Sequence, residues 1–303
     1  MPPPFLHDYS GYAERRAREQ PLSLGGEPAV SIVTVALNAA ATITRTIGSV
    51  QQQTYRGIEH ILVDGGSTDG TIDIIRKLAR RQDYWLTETD RGISDAFNKG
   101  VALARGRYVQ ILNADDWLSP DQIDRGIAAL ETSDADFVFG DLIFYERERP
   151  TFRYAGDPHY VRSIHRRCPS IGHPSMISRR AAFVRIGLFD LAYRNAMDYD
   201  WLLRLHCAGG LGVYCPEVVG HMTHAGVSNV EFARTIDEVR QIAVAHGRNP
   251  VVASVESRLR HLKTAAAEPV KRRFHPLYRW IRRIINRSYR PMVEPHGNDR
   301  SGY

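Results

Sequence analysis

Residues 109–116 read Val-Gln-Ile-Leu-Asn-Ala-Asp-Asp, a short apolar strand that ends in two adjacent carboxylates. Neighbouring acids repel each other, and burial increases the repulsion unless a cation lies between them. Mg²⁺ or Mn²⁺ would relieve it, because hard divalent ions prefer oxygen ligands and complete their shell with substrate phosphates. The stretch is also compatible with a solvated turn in which Asp115 and Asp116 cap the next helix. The surrounding sequence helps to distinguish a metal site from a helix-capping turn.

Strands and helices alternate along the first half of the chain. Residues 30–37 (Val-Ser-Ile-Val-Thr-Val-Ala-Leu) form a continuous β-branched run, typical of a strand buried on both faces. Further strands are predicted at 58–63, 84–87, 108–112 and 137–139, with helices at 42–52, 71–81 and 93–104 and within 121–150. A hairpin is predicted at 144–153. This order predicts an α/β protein with a mostly parallel sheet flanked by helices.

Three of these strands end in acids or amides. Asn38 follows the first strand, Asp64 ends the second, and Asp115-Asp116 follow the fourth. In open α/β sheets, ligands bind outside the carboxyl ends of the strands. A carboxylate at the position of Asp64 can accept a hydrogen bond from a nucleobase N–H. Since neither a Gly-x-Gly-x-x-Gly fingerprint nor a Gly-Lys-Ser/Thr phosphate loop occurs, the nucleotide is not held as in dehydrogenases or kinases.

Composition is that of a globular protein, with 303 residues, 43% hydrophobic and 24% charged. The three cysteines form no disulfide framework, which is typical of a reducing compartment. The first residues do not resemble a signal peptide, and no window of about 18 apolar residues occurs. We therefore expect a cytoplasmic protein.

Five motifs follow one another in order between about residues 30 and 230. They are Thr34–Asn38, Asp64–Thr71 (Asp-Gly-Gly-Ser-Thr-Asp-Gly-Thr), Glu88–Gly100, Asn113–Asp116 and Met197–Arg204. Together they resemble family 2 glycosyltransferases of the GT-A fold. The branch they resemble most builds bacterial exopolysaccharides and glycolipids and includes colanic-acid-type transferases.

The resemblance implies a site for a nucleotide-diphospho-sugar donor and for Mn²⁺ or Mg²⁺. The residues that it implies for donor binding are Thr34, Asn38, Asp64, Asp90, Asp95, Asn98, Lys99 and Asp115. Within this set, Asp64 would face the base, and Lys99 would lie near the diphosphate. Asp116 would be the direct metal ligand, with Asp115 towards the ribose or a metal-bound water. A late histidine, His224 or His221, would be a further metal ligand.

On the acceptor side, the resemblance implies that Asp198 is the general base. Met197 stands where the family more often has glutamate, so Asp200 is the alternative base. His173 would orient the acceptor or the leaving phosphate. A base is required if an acceptor hydroxyl loses its proton while it attacks the anomeric carbon. An inverting single displacement needs no enzyme nucleophile.

The chain is expected to divide into three parts. Residues 1–27, polar and arginine-rich, predict a flexible N-terminal arm. Residues 28–230 form the catalytic domain, with a nucleotide-sugar half at 28–150 and an acceptor half at 151–230. Residues 231–303 are predicted to be a helical, basic tail.

The tail carries a local excess of positive charge. Residues 270–290 contain eight lysines and arginines and no acid, more than the net charge of +6 of the whole chain. Apolar residues from Phe274 to Ile285 follow helical spacing, which predicts an amphipathic helix on an anionic membrane surface. Alternatively, the apolar stripe packs on the catalytic domain. Binding to nucleic acid is not expected, because no recognition fold accompanies the charge.

The predicted function is metal-assisted, inverting transfer of a sugar from a nucleotide-diphosphate donor to a lipid-linked glycan or glycolipid, at the inner face of the plasma membrane. One alternative is a sugar-nucleotide nucleotidyltransferase, which needs a glycine-rich triphosphate loop where this chain has residues 37–40 (Leu-Asn-Ala-Ala). The other is a non-catalytic membrane or nucleic-acid adaptor.

Overall fold

The computed structural model describes residues 8–20, 28–146, 148–223, 232–273 and 289–291, with side chains up to residue 263. The strands are β1 (Val30–Ala36), β2 (Ile58–Asp64), β3 (Tyr84–Thr87), β4 (Tyr108–Asn113), β5 (Trp117–Leu118), β6 (Phe137–Glu146), β7 (Arg149–Tyr154), β8 (Met176–Arg179), β9 (Gly212–Thr223) and β10 (Tyr289–Pro291). The helices are α1 (Ser10–Glu19), α2 (Ile43–Gln51), α3 (Thr71–Leu78), α4 (Ile93–Leu103), α5 (Gln122–Glu131), α6 (Arg180–Ile186), α7 (Met197–Cys207), α8 (Phe232–Ala245) and α9 (Pro250–Arg273).

The strands of the described residues form one sheet in the order β10-β7-β6-β8-β4-β1-β2-β3, and β9 pairs with both β5 and β6. Strands β4, β1, β2 and β3 are mutually parallel. Every residue of β1 and β2 is buried, including Glu59 and His60 of β2, as is typical of parallel strands covered on both faces. This parallel half confirms the expected α/β architecture.

Register brings the acidic strand ends level with one another. Ala36 at the end of β1 pairs with Asp64, and Asp64 in turn pairs with Thr87. On the other side of β1, Val35 pairs with Asn113, so the end of β4 is one residue out of register with the end of β2. Because parallel strands all present their carboxyl ends at the same edge, the residues that follow them share one rim of the sheet.

The second half of the sheet is mixed. The predicted hairpin is present as β6 and β7, which pair in antiparallel fashion up to Glu146 and Arg149. β8 joins the halves, since it lies antiparallel to both β4 and β6. β9 runs beside β6 and then pairs with β5, so that His221 lies opposite Trp117. This arrangement brings Thr223, the last residue of β9, beside Asp115.

The N-terminal region differs from the expected flexible arm. Residues 10–19 form α1, and Arg16 on this helix is buried against Glu59 of β2 and the carbonyl oxygen of Leu103. Both members of the ion pair are nearly inaccessible to solvent. Because removing one partner of a buried pair leaves an uncompensated charge, this contact fixes α1 to the catalytic domain.

The C-terminal part is helical over α8 and α9. Tyr289–Pro291 is a strand that pairs with β7, so the tail is not helical throughout. Residues 274–288, which carry most of the predicted amphipathic helix, lie outside the described residues. In the part of the chain that is described, no helix is long and apolar enough to cross a membrane.

Candidate active site

The two carboxylate oxygens of Asp64 differ, since one accepts hydrogen bonds and the other accepts none from the described residues. Its Oδ2 accepts hydrogen bonds from the backbone N–H groups of Gly66 and Ser67, each at 3.0 Å, and from the Thr87 hydroxyl at 2.7 Å. Its Oδ1 is buried and has no hydrogen-bond partner among the described residues. Since buried acceptors are normally satisfied, this atom can take an N–H donor from a ligand. The contact of Asp64 with a nucleobase stays a prediction.

Asn38 shapes the neighbouring loop. It adopts a left-handed backbone conformation (φ 51°), which asparagine tolerates better than most residues. Its backbone N–H donates to the Ser67 hydroxyl at 2.8 Å, and its side-chain oxygen accepts from the Thr68 N–H at 3.0 Å. Asn38 therefore lies at the predicted rim and joins the ends of β1 and β2.

Thr34 does not lie at this rim. It is fully buried inside β1, and its hydroxyl is 2.8 Å from Nε2 of His60 on the adjacent strand. Burial lowers the pKa of His60 to about 4, so the imidazole is neutral. The prediction of donor binding by Thr34 is wrong, because the side chain is enclosed two residues before the strand ends.

Asp90 packs closely over the turn that follows Asp64. A side chain at Gly65 would meet the Asp90 carboxylate, which shows how closely Asp90 approaches this turn. The backbone N–H of Gly92 donates to Asp90 Oδ1 at 2.8 Å. Burial raises the pKa of Asp90 above its usual value, although the Gly92 hydrogen bond opposes this. Asp90 thus lies beside Asp64, as predicted for the donor pocket.

Three other residues predicted to bind the sugar donor instead connect α4 to neighbouring segments of the chain. Asn98 forms two hydrogen bonds with the backbone of Phe189, both at 2.9 Å. Asp95 accepts from the Tyr9 hydroxyl at 2.5 Å, and Lys99 Nζ is 2.9 Å from Glu88 Oε1.

Asp95, Asn98 and Lys99 are all buried, and each is engaged by groups of this chain. Direct donor binding by these three residues was therefore a wrong expectation. Their contacts hold the segment that carries Asp90.

Asp115 and Asp116 differ in environment. Asp116 is buried, whereas Asp115 is partly exposed and its Oδ2 accepts from the Thr223 hydroxyl at 3.2 Å. Burial, and then the charge of Asp115, raise the pKa of Asp116 well above its usual value. The Thr46 hydroxyl lies 2.9 and 2.8 Å from the carbonyl oxygens of Ala114 and Asp116, which anchors the turn to α2.

This acidic pair is chemically suited to a divalent cation. Two adjacent carboxylates offer the oxygen ligands that Mg²⁺ and Mn²⁺ prefer, with phosphate oxygens to complete the shell. The described residues contain no group of three or more His, Cys, Asp or Glu side chains arranged to hold a metal, so the candidate ligands among them are limited to this pair. The predicted ligand His224 lies outside the described residues.

His221 is not a metal ligand. Its ring stacks on Trp117 with centroids 5.3 Å apart, and its Nε2 is 2.8 Å from the Ser119 hydroxyl. Burial lowers its pKa to about 4. The neutral ring packs between β5 and β9, and its contacts are structural.

A chain of polar contacts joins the acidic pair to Asp198. The Asn113 amide nitrogen is 3.1 Å from Asp116 Oδ2 and 2.9 Å from His173 Nε2. On the far side of the ring, His173 Nδ1 is 3.8 Å from Asp198 Oδ2. Because the amide donates to Nε2, the proton of a neutral His173 lies on Nδ1 and points towards Asp198.

Asn113 was not among the residues singled out from sequence. Its position at the end of β4 was a usable signal, since asparagine is a poor residue for a strand interior. Its Oδ1 is buried and, like Asp64 Oδ1, has no partner among the described residues. Two hydrogen-bond acceptor atoms at the rim of the sheet, Asp64 Oδ1 and Asn113 Oδ1, are therefore without a partner among the described residues.

Asp200 pairs with Arg204 and lies close to His246. Its Oδ2 accepts from Arg204 at 2.8 Å, and its Oδ1 is 3.5 Å from His246 Nε2. Arg204 also donates to the carbonyl oxygens of Ile186 and Leu188. Asp200 therefore ties α7 to its neighbours, and its assignment as the alternative base stays a prediction. Asp198 is the acid of α7 that contacts His173.

Solved structures share this fold. The mannosyltransferase PcManGT from Pyrobaculum calidifontis, solved with GDP-Man and Mn²⁺, matches with a TM-score of 0.56 and 20% identity, over 91% of this chain and 82% of that one. S. aureus TarS 1-349 with UDP-GlcNAc matches with a TM-score of 0.56 and 16% identity, over 74% of this chain and 69% of that one. The protein therefore has a GT-A-like fold with acidic residues at the rim of its sheet, and it belongs to the class of glycosyltransferases.

Sequence comparisons identify the family. The model of glycosyl transferase family 2 matches residues 31–188. The chain is 37% identical over 182 residues to the PGL/p-HBAD biosynthesis glycosyltransferase of Mycobacterium bovis, covering 58% of this chain and 69% of that protein. It is 28% identical over 224 residues to the chondroitin synthase of Pasteurella multocida, covering 67% of this chain and 22% of that protein. The chain belongs to glycosyl transferase family 2.

Proposed function

We propose that the protein transfers a sugar from a nucleotide-diphosphate donor to a hydroxyl of a lipid-linked glycan or glycolipid, with inversion at the anomeric carbon. The observation that carries the proposal is the chain of contacts from Asp116 through Asn113 and His173 to Asp198. It joins a candidate site for the leaving diphosphate to a candidate base. A single displacement requires these two functions on opposite sides of the reacting carbon.

On the donor side, Asp64 Oδ1 would accept the base N–H, and the Asp115–Asp116 pair would hold Mn²⁺ or Mg²⁺. Such an ion would stabilise the charge that develops on the departing diphosphate. A second hydrogen-bond acceptor available to the donor is Asn113 Oδ1, and a single residue separates Asn113 from the acidic pair. The solved relatives with UDP-GlcNAc and with GDP-Man and Mn²⁺ support a nucleotide-sugar donor of this kind.

On the acceptor side, Asp198 would receive the proton of the attacking hydroxyl. The N–H at His173 Nδ1 faces Asp198 Oδ2, and the backbone N–H of Tyr199 donates to Asp198 Oδ1 at 2.7 Å. The hydrogen bond from Tyr199 orients the carboxylate, and the His173 ring lies 3.8 Å from its other oxygen. The glycolipid class of acceptor is supported by the mycobacterial relatives, whose names refer to PGL/p-HBAD biosynthesis. Membership of the family favours this function over nucleotidyl transfer and over a non-catalytic adaptor.

Calorimetry tests the donor and metal assignments together. UDP or GDP is expected to bind at least tenfold more tightly with Mn²⁺ present, because the ion links the diphosphate to two carboxylates that otherwise repel it. Release of free nucleotide from a panel of UDP-, GDP- and dTDP-sugars would then identify the donor. Equal affinity with Mn²⁺ and with a chelator would contradict the metal assignment.

We also propose that the enzyme works at the cytoplasmic face of the plasma membrane, with the basic residues at 270–290 against anionic lipid. Each arginine close to such a surface contributes about 1 kcal/mol. Changing Arg282, Arg283 and Arg287 to glutamine is expected to weaken binding to phosphatidylglycerol vesicles by about 100-fold, measured by co-sedimentation. Unchanged binding would contradict the role of this segment.

A further inference from the structure

Helix α9 exposes an apolar stripe. Val251, Val252, Val255, Leu259 and Leu262 are between 47% and 71% exposed, and they account for five of the nine large exposed apolar side chains of the described residues. At 100° per residue, they all fall within one sector of the helix surface. Single exposed apolar residues are ordinary on protein surfaces, whereas a contiguous stripe marks a surface that binds something.

The opposite face of α9 is fixed to the domain. Ala253 and Ser257 are buried there. Arg248, just before the helix, and Arg260 within it both donate to the carbonyl oxygen of Arg166, at 2.8 and 3.1 Å. His261 Nε2 is 3.3 Å from Asp237 on α8. These contacts hold the helix in one rotational setting, with the apolar stripe directed outward.

The stripe is bordered by cations. Arg258 lies on one side of it and Lys263 on the other, and both are exposed. Glu256, the acid nearest to the stripe, is 2.5 Å from Arg248 and lies towards the anchored face. An apolar sector between exposed cations is typical of a helix that lies in the plane of an anionic membrane surface.

We infer that α9 is a membrane-contact surface of the folded domain, with residues 251–262 in the acyl–headgroup boundary and Arg258 and Lys263 against lipid phosphates. A second copy of the chain is the other occupant that such a stripe could take. Symmetric pairing of two α9 helices would bring Arg258 and Lys263 towards the same residues of the partner copy, and like charges oppose that contact. Charge complementarity therefore favours an anionic lipid surface.

This surface lies close to the candidate acceptor site. The backbone of residues 164–166 accepts hydrogen bonds from Arg248 and Arg260 on one side and from the Tyr199 hydroxyl on the other. Tyr199 follows Asp198 in α7. Contact of α9 with a membrane would therefore place α7 and Asp198 in the part of the protein next to the bilayer, where a lipid-linked sugar acceptor lies. This orientation rests on the proposed function, whereas the contact surface itself does not.

The test uses the full chain with vesicles of equal parts phosphatidylcholine and phosphatidylglycerol. The variant Val255→Glu/Leu259→Glu is expected to bind them about 100-fold more weakly, because two side chains of the stripe become charged. The matched control, Val184→Glu/Leu211→Glu, changes two exposed apolar residues away from α9 and adds the same charge. It is expected to bind within about threefold of the unchanged protein.

A second variant separates apolar contact from charge repulsion. Val251→Gln/Leu262→Gln removes apolar surface at the other positions of the stripe without adding charge, and is expected to weaken binding about tenfold. Equal vesicle binding of all variants would overturn the inference. So would a dimer, seen by light scattering without lipid, that the α9 variants dissociate. Vesicle binding is measured without donor or acceptor, so its outcome is independent of whether the protein transfers sugar.

Discussion

Replacement of Asp198 by asparagine is expected to slow sugar transfer by about 10²- to 10⁴-fold, the usual contribution of a positioned general base. An amide of the same size can still accept the hydrogen bond from the Tyr199 N–H through its oxygen, but it cannot take the acceptor proton. Because Asp198 is separated from the acidic pair by Asn113 and His173, donor affinity and the requirement for Mn²⁺ are expected to stay unchanged. Transfer is measured with saturating donor and acceptor, and donor affinity by calorimetry.

Asp200→Asn is the matched control, two residues away on the same helix. Asp200 is buried and pairs with Arg204 and His246, so its loss is expected to lower the free energy of unfolding by about 3 kcal/mol. Turnover per folded molecule should remain near that of the unchanged protein. Full activity in the Asp198 variant, or complete inactivity of a stably folded Asp200 variant, would contradict the assignment of the base.

The parallel half of the fold was predictable from sequence because its signals are local. β1 is rich in β-branched residues and is followed within two residues by Asn38, and β2 ends in Asp64 itself. Parallel pairing then places Asp64 and Asn113 at one rim without any further information. The strand ends therefore predict that Asp64 and Asp116 share one rim, whereas the place of Asp90 is implied only by the resemblance to the family.

The roles of side chains on α4 were not predictable in the same way. Asp95 and Asn98 lie in a motif that resembles the family's donor segment, but their partners are Tyr9 and Phe189, which are far away in the sequence. The hydrogen-bond partner of a buried polar side chain is determined by the tertiary fold, and the spacing of residues in the sequence does not identify it. For the same reason, α1 looked like a flexible arm, since Arg16 finds its partner Glu59 only in the folded domain.

Replacement of Asp116 by asparagine is expected to slow transfer on the order of 10³-fold and to abolish the effect of Mn²⁺ on nucleotide binding. A metal contributes several kcal/mol to a transition state that develops charge, and each 1.36 kcal/mol is about a factor of ten in rate. Asp115→Asn is expected to have a similar effect. Activity without added metal that equals the activity with Mn²⁺ in the unchanged protein would contradict this.

The same Asp116 variant is expected to be more stable than the unchanged protein when no metal is present. Burial and the neighbouring charge of Asp115 raise the pKa of Asp116 above its ordinary value in the folded state. A group with a raised pKa contributes stability that is present below the unfolded-state pKa and is lost as pH rises through the folded-state value. Ionised Asp116 therefore destabilises the metal-free protein at high pH, and asparagine removes that cost.

Thermal unfolding with a chelator tests this, since each kcal/mol of stability shifts the midpoint by about 2–4 °C in a domain of this size. At about pH 4, the Asp116→Asn variant should unfold at nearly the same temperature as the unchanged protein. At about pH 8 it should unfold at a higher temperature, because the carboxyl group that ionises at position 116 is present only in the unchanged protein. Mn²⁺ should raise the unfolding temperature of the unchanged protein alone, since the ion balances both carboxylates. A variant that unfolds at a lower temperature at high pH would show that Asp116 stabilises the fold in its ionised form, and the acidic pair would then be a structural turn.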